Sequence, residues 1–294
     1  MLQVMGVLIN PDVKFFYHAS SGTLTYVVSD PSSGFAAIID PVLGFSVVSG
    51  RTDTSPADYV VRYVEERNLS VDWILETHAH ADHLTSAPYL KKKLGGRIAI
   101  GEGILKVQEH FTPIFNLQPP FVADGSQFDH LFVNGETFAI GEIEATVMHT
   151  PGHTNDSITY VVGNAAFVGD TFFMTDFGTA RCDFPGGDAG LLYESIQKLF
   201  ALPDDTMLYL CHDYPPDSRP VQPGVPLSKQ KQENIHVGGG VGKDEFVKMR
   251  EARDASLSLP VLMLPSIQVN IRAGNLPDSE DNDVSYIRIP LDSL

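Results

Sequence analysis

Six consecutive residues, His78-Ala79-His80-Ala81-Asp82-His83, constrain this chain more than any other stretch. An apolar, strand-like run at 71–75 gives way here to a helix-like one, so a loop at a strand end gathers three imidazoles and a carboxylate around one point. Capping a helix needs one short polar side chain, not three histidines. Imidazole nitrogen and carboxylate oxygen suit zinc, iron, manganese or nickel. A set without thiolate is the kind that keeps positions open for water or substrate.

Composition narrows the possibilities. The chain has 294 residues, 43% hydrophobic and 19% charged, enough to bury a core in one large domain or two small ones. A formal net charge of −17 argues against a nucleic-acid partner, because phosphate binding rests on a basic surface, and favours small substrates. No uncharged apolar run approaches the ~18 residues of a membrane helix. Cys182 and Cys211 are the only cysteines, and residues 1–6 lack the basic start of a leader, so a reducing cytoplasmic location is expected.

The runs Phe15-Phe16-Tyr17, Leu24-Thr25-Tyr26-Val27-Val28 and Phe35-Ala36-Ala37-Ile38-Ile39 read as strands separated by Ser, Gly and Asp-Pro turns. Ser55-Pro56 reads as an N-cap followed by proline in the first turn, opening a helix that runs to Asn68. After the strand at 71–75 and the histidine loop, residues 84–94 predict a helix stopped by Gly95-Gly96. A strand at 97–100, a short helix at 104–111 and an irregular connection at 115–129 come next. Strands then return at 137–140, 144–148, 157–162 and 165–168, which suits two packed sheets flanked by helices.

Three more strand ends carry candidate ligands: His149-Thr150-Pro151-Gly152-His153, Gly169-Asp170 and Cys211-His212-Asp213-Tyr214. Singly, each reads as an ordinary turn. Together, at strand ends behind the histidine loop, they aim side chains into one cleft. His110, His130 and His236 lack such company and read as surface or core histidines, and Asp124, Asp129 and the acidic stretch 278–283 as solvated loop charges.

Taken in order, His78-x-His80-x-Asp82-His83, Pro151-Gly152-His153-Thr154, Gly169-Asp170 and His212 resemble the metallo-β-lactamase superfamily. The words Arg181-Cys182-Asp183-Phe184, His212-Asp213-Tyr214 and Val269-Asn270-Ile271-Arg272-Ala273-Gly274 resemble, more narrowly, its persulfide dioxygenases. The resemblance implies an α/β (α+β) fold, a four-layer αββα sandwich, formed by one domain over residues 1–294, with the stretch from about 220 lining or covering the cleft. In superfamily hydrolases with two metals, His78, His80 and His153 would hold one ion, Asp82, His83 and His212 the other, and Asp170 would bridge. The dioxygenase pattern implies instead one Fe(II) per chain held by His78, His153 and Asp170, with His80, Asp82, His83, His212 and Tyr214 orienting ligands and water around it.

The activity so implied is oxidation of glutathione persulfide by O2 to sulfite and glutathione, without nucleic acid or membrane as partner and with homo-oligomerisation left open. Arg181, and more weakly Arg272, are the expected contacts for the substrate's carboxylates. The stretch Gly178-Thr179-Ala180-Arg181-Cys182-Asp183-Phe184 departs from the family's Gly-Cys-Gly-Arg-Thr-Asp-Phe at several positions, which bears on the substrate. The alternative reading is a dinuclear thioester hydrolase of the glyoxalase II kind, using a metal-activated water. A non-enzymatic metal-binding protein would leave the open-position chemistry of this ligand set unused.

Overall fold

The computed structural model of the protein describes residues 10–292. The first six residues, which bear on the expected absence of a leader, lie outside the described residues. In chain order, β1 (Asp12–His18), β2 (Thr23–Ser29), β3 (Phe35–Ile39), β4 (Val42–Ser46) and β5 (Arg51–Asp53) precede α1 (Ser55–Glu66). Then come β6 (Ser70–Leu75), β7 (Leu84–Thr85), α2 (Ala87–Leu94), β8 (Arg97–Gly101), α3 (Ile104–Ile114) and β9 (His130–Phe132). The second half holds β10 (Thr137–Ile140), β11 (Ile143–His149), β12 (Ile158–Val162), β13 (Ala165–Phe167), α4 (Ala189–Phe200) and β14 (Met207–Tyr209). It closes with β15 (Gly224–Pro226), α5 (Leu227–Glu233), α6 (Lys243–Asp254) and α7 (Met263–Asn270).

Strand order is β1-β2-β3-β6-β8-β9 in one large sheet and β10-β11-β12-β13-β14-β15 in the second, with β5-β4-β7 forming a small third sheet. Successive side chains of a strand point to opposite faces, and in β2, β3, β12 and β13 nearly every residue on both faces is buried, so these strands read as continuous apolar runs. Tyr26, Val28, Trp73 and Leu75 enter the core between the two sheets with Val147, Tyr160 and Phe167. Val27, Ile38 and Ile74 face the other way, toward Val60, Val64, Leu90 and Ile267 of the helices. A third core packs Leu192, Ile196 and Phe246 on the outer face of the second sheet with Val168, Leu208 and Leu210. Helices, sheet, sheet, helices: this is the αββα sandwich. Each fully buried aliphatic or aromatic side chain adds roughly 1.5–3 kcal/mol.

Several local expectations need revision. Leu84 and Thr85 do not start a helix; they form β7, paired with Val42 and Leu43 of β4, an element that sequence reading did not anticipate. The helix begins at Ala87, which places Pro88 in its first turn, where a missing N–H costs nothing. The N-cap of α1 is Thr54 rather than Ser55, and α3 runs to Ile114 with Pro113 in its last turn. Asp129 is more than a solvated charge: it pairs with Lys91 at 2.6 Å and accepts from the N–H of Ile98 at 2.7 Å. Among the described residues no helix is long and apolar enough to cross a membrane.

Candidate metal centre

The parallel strands β3 and β6 end side by side, and the loops leaving their ends build the site. Asp40, just past β3, accepts from the Thr77 N–H at 2.7 Å and from the Thr77 hydroxyl at 3.0 Å. With its proton given to Asp40, the hydroxyl oxygen of Thr77 is free to accept from His78 Nδ1, 3.0 Å away. This leaves His78 Nε2 with its lone pair turned inward. Asp156 accepts from the Ala79 N–H at 2.7 Å, while Asn270 donates to the carbonyls of His80 and His83, each at 2.8 Å, and accepts from the Thr85 N–H at 2.9 Å. Buried side chains from distant parts of the chain therefore hold the loop in one conformation.

The other candidates arrive from the second sheet. Gly152 has a φ of +140° and packs on the backbone of Leu192, where a Cβ would meet it at 2.3 Å; this contact turns the chain after β11 toward His153. His153 Nδ1 donates to the Arg181 carbonyl at 2.7 Å, so its Nε2 faces Asp170 Oδ2 at 3.5 Å, with His78 Nε2 4.0 Å from the same oxygen. His212, beyond β14, places Nε2 3.4 Å from Asp170 Oδ1 and 3.5 Å from Asp82 Oδ2. Donor atoms of His78, His153 and Asp170 all lie within 4.8 Å of one another, and those of His80, Asp82 and His83 form a separate group by the same measure.

The residues fit a cation. Asp82 Oδ2, His83 Nε2, Asp170 Oδ1, His212 Nε2 and His80 Nδ1 are buried and lack hydrogen-bond partners, a concentration of unmet polar atoms that ordinary folding does not tolerate. Electrostatics agree. Burial and the neighbouring histidines hold His78 well below its usual range, and burial with His80 brings His83 down to about 3, so both imidazoles are neutral lone-pair donors near pH 7. Burial raises Asp82, but His212 and His83 outweigh it and keep the carboxylate ionised. His80 differs. Burial opposes its charge, yet Asp40, 3.0 Å from its Nε2, lifts it well above normal, and burial pushes the adjacent Glu76 up to about 7.

The structure brings together His78, His80, Asp82, His83, His153, Asp170 and His212. Tyr214 stacks on His212 with ring centroids 5.7 Å apart and an interplanar angle of 10°. Arg181 lines the same cleft, a cavity of about 240 Å³, but its guanidinium is gripped by Asp183 through two 2.6 Å bonds and donates to the Ser258 carbonyl at 2.7 Å. Arg272 lies elsewhere: it stacks on Phe121 and lines a different cavity with Arg288 and Pro119. Cys182 is buried away from reactivity, its thiol pushed up by burial.

Sequence reading overlooks Asp40, Asp156, Arg250 and Arg253. Asp40 ends an apolar strand, a signal like that of Asp170, whereas nothing local marks the two arginines. His236, a bystander by its sequence context, holds the cleft wall. Its Nδ1 accepts from the Thr179 N–H at 3.0 Å, and the ring fills the space a Cβ on Gly178, at φ +95°, would occupy. Burial, then Arg250 and Arg253, lower His236 to about 4 from 6.5. Between those values the unfolded chain binds the proton and the folded chain does not. The contribution is thus complete above about pH 6.5 and is lost as pH falls toward about 4, on the order of 1–2 kcal/mol after solvent screening. Urea midpoints at about pH 7.5 and about pH 5 should differ less in His236→Gln than in the wild type.

A family model described as the Metallo-beta-lactamase superfamily matches residues 21–212. A Burkholderia pseudomallei protein named as a probable metallo-hydrolase is 51% identical, with 96% of this chain and 99% of that relative covered. A Dictyostelium discoideum protein named glyoxylase B2 is 48% identical over 96% of this chain and 97% of its own. The human mitochondrial persulfide dioxygenase is 30% identical, covering 69% of this chain and 68% of that protein. Among solved structures, ETHE1 from Myxococcus xanthus superposes with a TM-score of 0.71 at 27% identity, covering 90% of this chain and 100% of the other. Fold, ligand cluster and matched residues agree, and the chain belongs to the metallo-β-lactamase superfamily, with persulfide dioxygenases among its relatives.

Proposed function

We propose that this chain is a non-haem iron persulfide dioxygenase: a persulfide carried on glutathione, O2 and water yield sulfite and glutathione, with the sulfur–sulfur bond broken and the outer sulfur taking up three oxygens. The observation that carries this reading is the compact group of His78, His153 and Asp170, two imidazoles and one carboxylate. Such a set suits one Fe(II) per chain and leaves coordination positions open. Fe(II), when bound there, supplies one-electron chemistry that the side chains lack.

The protein's own contribution is binding and orientation. Thr77 and the Arg181 carbonyl fix the tautomers of His78 and His153 through Nδ1, as partners of metal-binding histidines do. Phe173, Phe177, Phe184 and Tyr214 wall the cleft and exclude bulk water from the reacting sulfur. Asp82 and His212, beside Asp170, are placed to hold the water that sulfite release consumes. Both cysteines are free, in keeping with the reducing cytoplasm in which low-molecular-weight persulfides are met.

The second group, His80 with Asp82 and His83, favours a second reading, a dinuclear thioester hydrolase, as does the relative named glyoxylase B2. Protein purified without added metal separates the two. One iron per chain with O2 uptake on glutathione persulfide is expected. Two metals per chain, no O2 uptake and hydrolysis of a glutathione thioester would overturn the dioxygenase reading.

A further inference from the structure

Three arginines line the cleft, and two are already engaged. Arg181 is held by Asp183 and the Ser258 carbonyl. Arg250, fully buried, directs Nε and Nη2 to Asp254 Oδ1 at 2.9 and 2.6 Å and donates Nη1 to the Thr179 carbonyl at 2.9 Å. Arg253 is exposed, and its guanidinium makes no hydrogen bond or ion pair with the described residues. Of the three cleft arginines it is thus the one whose guanidinium is not already taken up by a carboxylate or carbonyl among the described residues, in a chain of net charge −17.

We propose that Arg253 receives the carboxylate of the substrate and sets the preference for carboxylate-bearing persulfides, an inference that rests on the persulfide reading above. Three observations converge. The cavity, about 240 Å³, is smaller than the usual ligand pocket of roughly 300–1,000 Å³, so it takes the sulfur end of a tripeptide while the charged arms lie across the rim. Around the candidate ligands the cleft is aromatic and apolar, with Phe173, Phe177, Phe184, Leu257 and Pro260, and an acidic molecule repels an anion unless a local cation meets it. Arg253 also has a rigid base. It follows Arg250 by three residues and so shares its side of α6, and the adjacent Asp254 is fastened both to Arg250 and to the Cys182 N–H at 2.8 Å. A guanidinium so placed offers a planar fork to a carboxylate.

A cation in the last turn of α6 also suits the helix dipole, and the test separates the two roles. Glutathione itself is titrated by calorimetry into iron-loaded wild type, Arg253→Ala and Arg253→Lys. In parallel, kcat/KM for O2 uptake is compared between glutathione persulfide and cysteamine persulfide, which lacks a carboxylate. Arg253→Ala should bind glutathione about five- to tenfold more weakly and lose selectivity between the two persulfides by a similar factor, with iron content retained and Arg253→Lys recovering part. Unchanged affinity and selectivity, with or without a lower Tm, would overturn the proposal and leave Arg253 to the helix end. Should the wild type consume no O2 with either persulfide, the dioxygenase reading falls, and the glutathione titration alone decides the role of Arg253.

Discussion

Asp170→Ala strips the metal from the purified chain, whereas Asp82→Ala leaves much of it bound. Asp170 is the one carboxylate in the group with His78 and His153, 4.0 and 3.5 Å from their Nε2 atoms. Without it, two imidazoles face a dication with no negative charge beside them, and His78 is already held neutral by burial and its histidine neighbours. Asp82 belongs to the adjoining group and touches His212 at 3.5 Å. A residue that orients ligands rather than binding typically costs ~10–100-fold in affinity or activity when removed. Metal content by mass spectrometry after gel filtration reads the difference. Equal loss in the two variants would make Asp82 a direct ligand and favour two ions per chain.

The second large effect is on stability. Asp254→Ala should cost about 3–5 kcal/mol, because it leaves the guanidinium of Arg250 buried without its carboxylate. For a chain of this size that lowers Tm by roughly 10 °C. The Cys182 N–H loses its acceptor as well, so the loop carrying the Arg181 carbonyl, on which His153 rests, loosens with it. The double variant Arg250→Met, Asp254→Leu removes both charges and should recover most of the loss. Thermal unfolding of the single and double variants checks this. A double variant no more stable than Asp254→Ala would show that the pair is worth more than the desolvation of its charges.

Most strands of both sheets were legible because they are short, β-branched and aromatic, and because strand periodicity and turn residues are local properties of the chain. The β4, β5, β7, β9 and β15 elements, two to five residues each, were not. Val42-Leu43 and Leu84-Thr85 are too short to show a period, and they become strands only by pairing with each other across the fold. The same distinction runs through the site. His78, His153, Asp170 and His212 announce themselves by residue type and by following strands.

Charge partners escape such reading, as the arginines show. Arg181 and Arg272 were both expected to meet substrate, yet Asp183 and Ser258 occupy the first, and the second stacks on Phe121 at another cavity. Arg253, unmarked by any motif, is the cleft arginine whose guanidinium is left without a partner among the described residues. By itself the sequence determined the order of most strands and of the candidate ligands, since residue chemistry and local periodicity are written residue by residue. Only the tertiary structure decided which cations remain free and which buried groups, such as Asp40, Asn270 and His236, hold the site. Those roles depend on contacts between residues tens to nearly two hundred positions apart, as with Asn270 and the His80 carbonyl, and no local pattern encodes them.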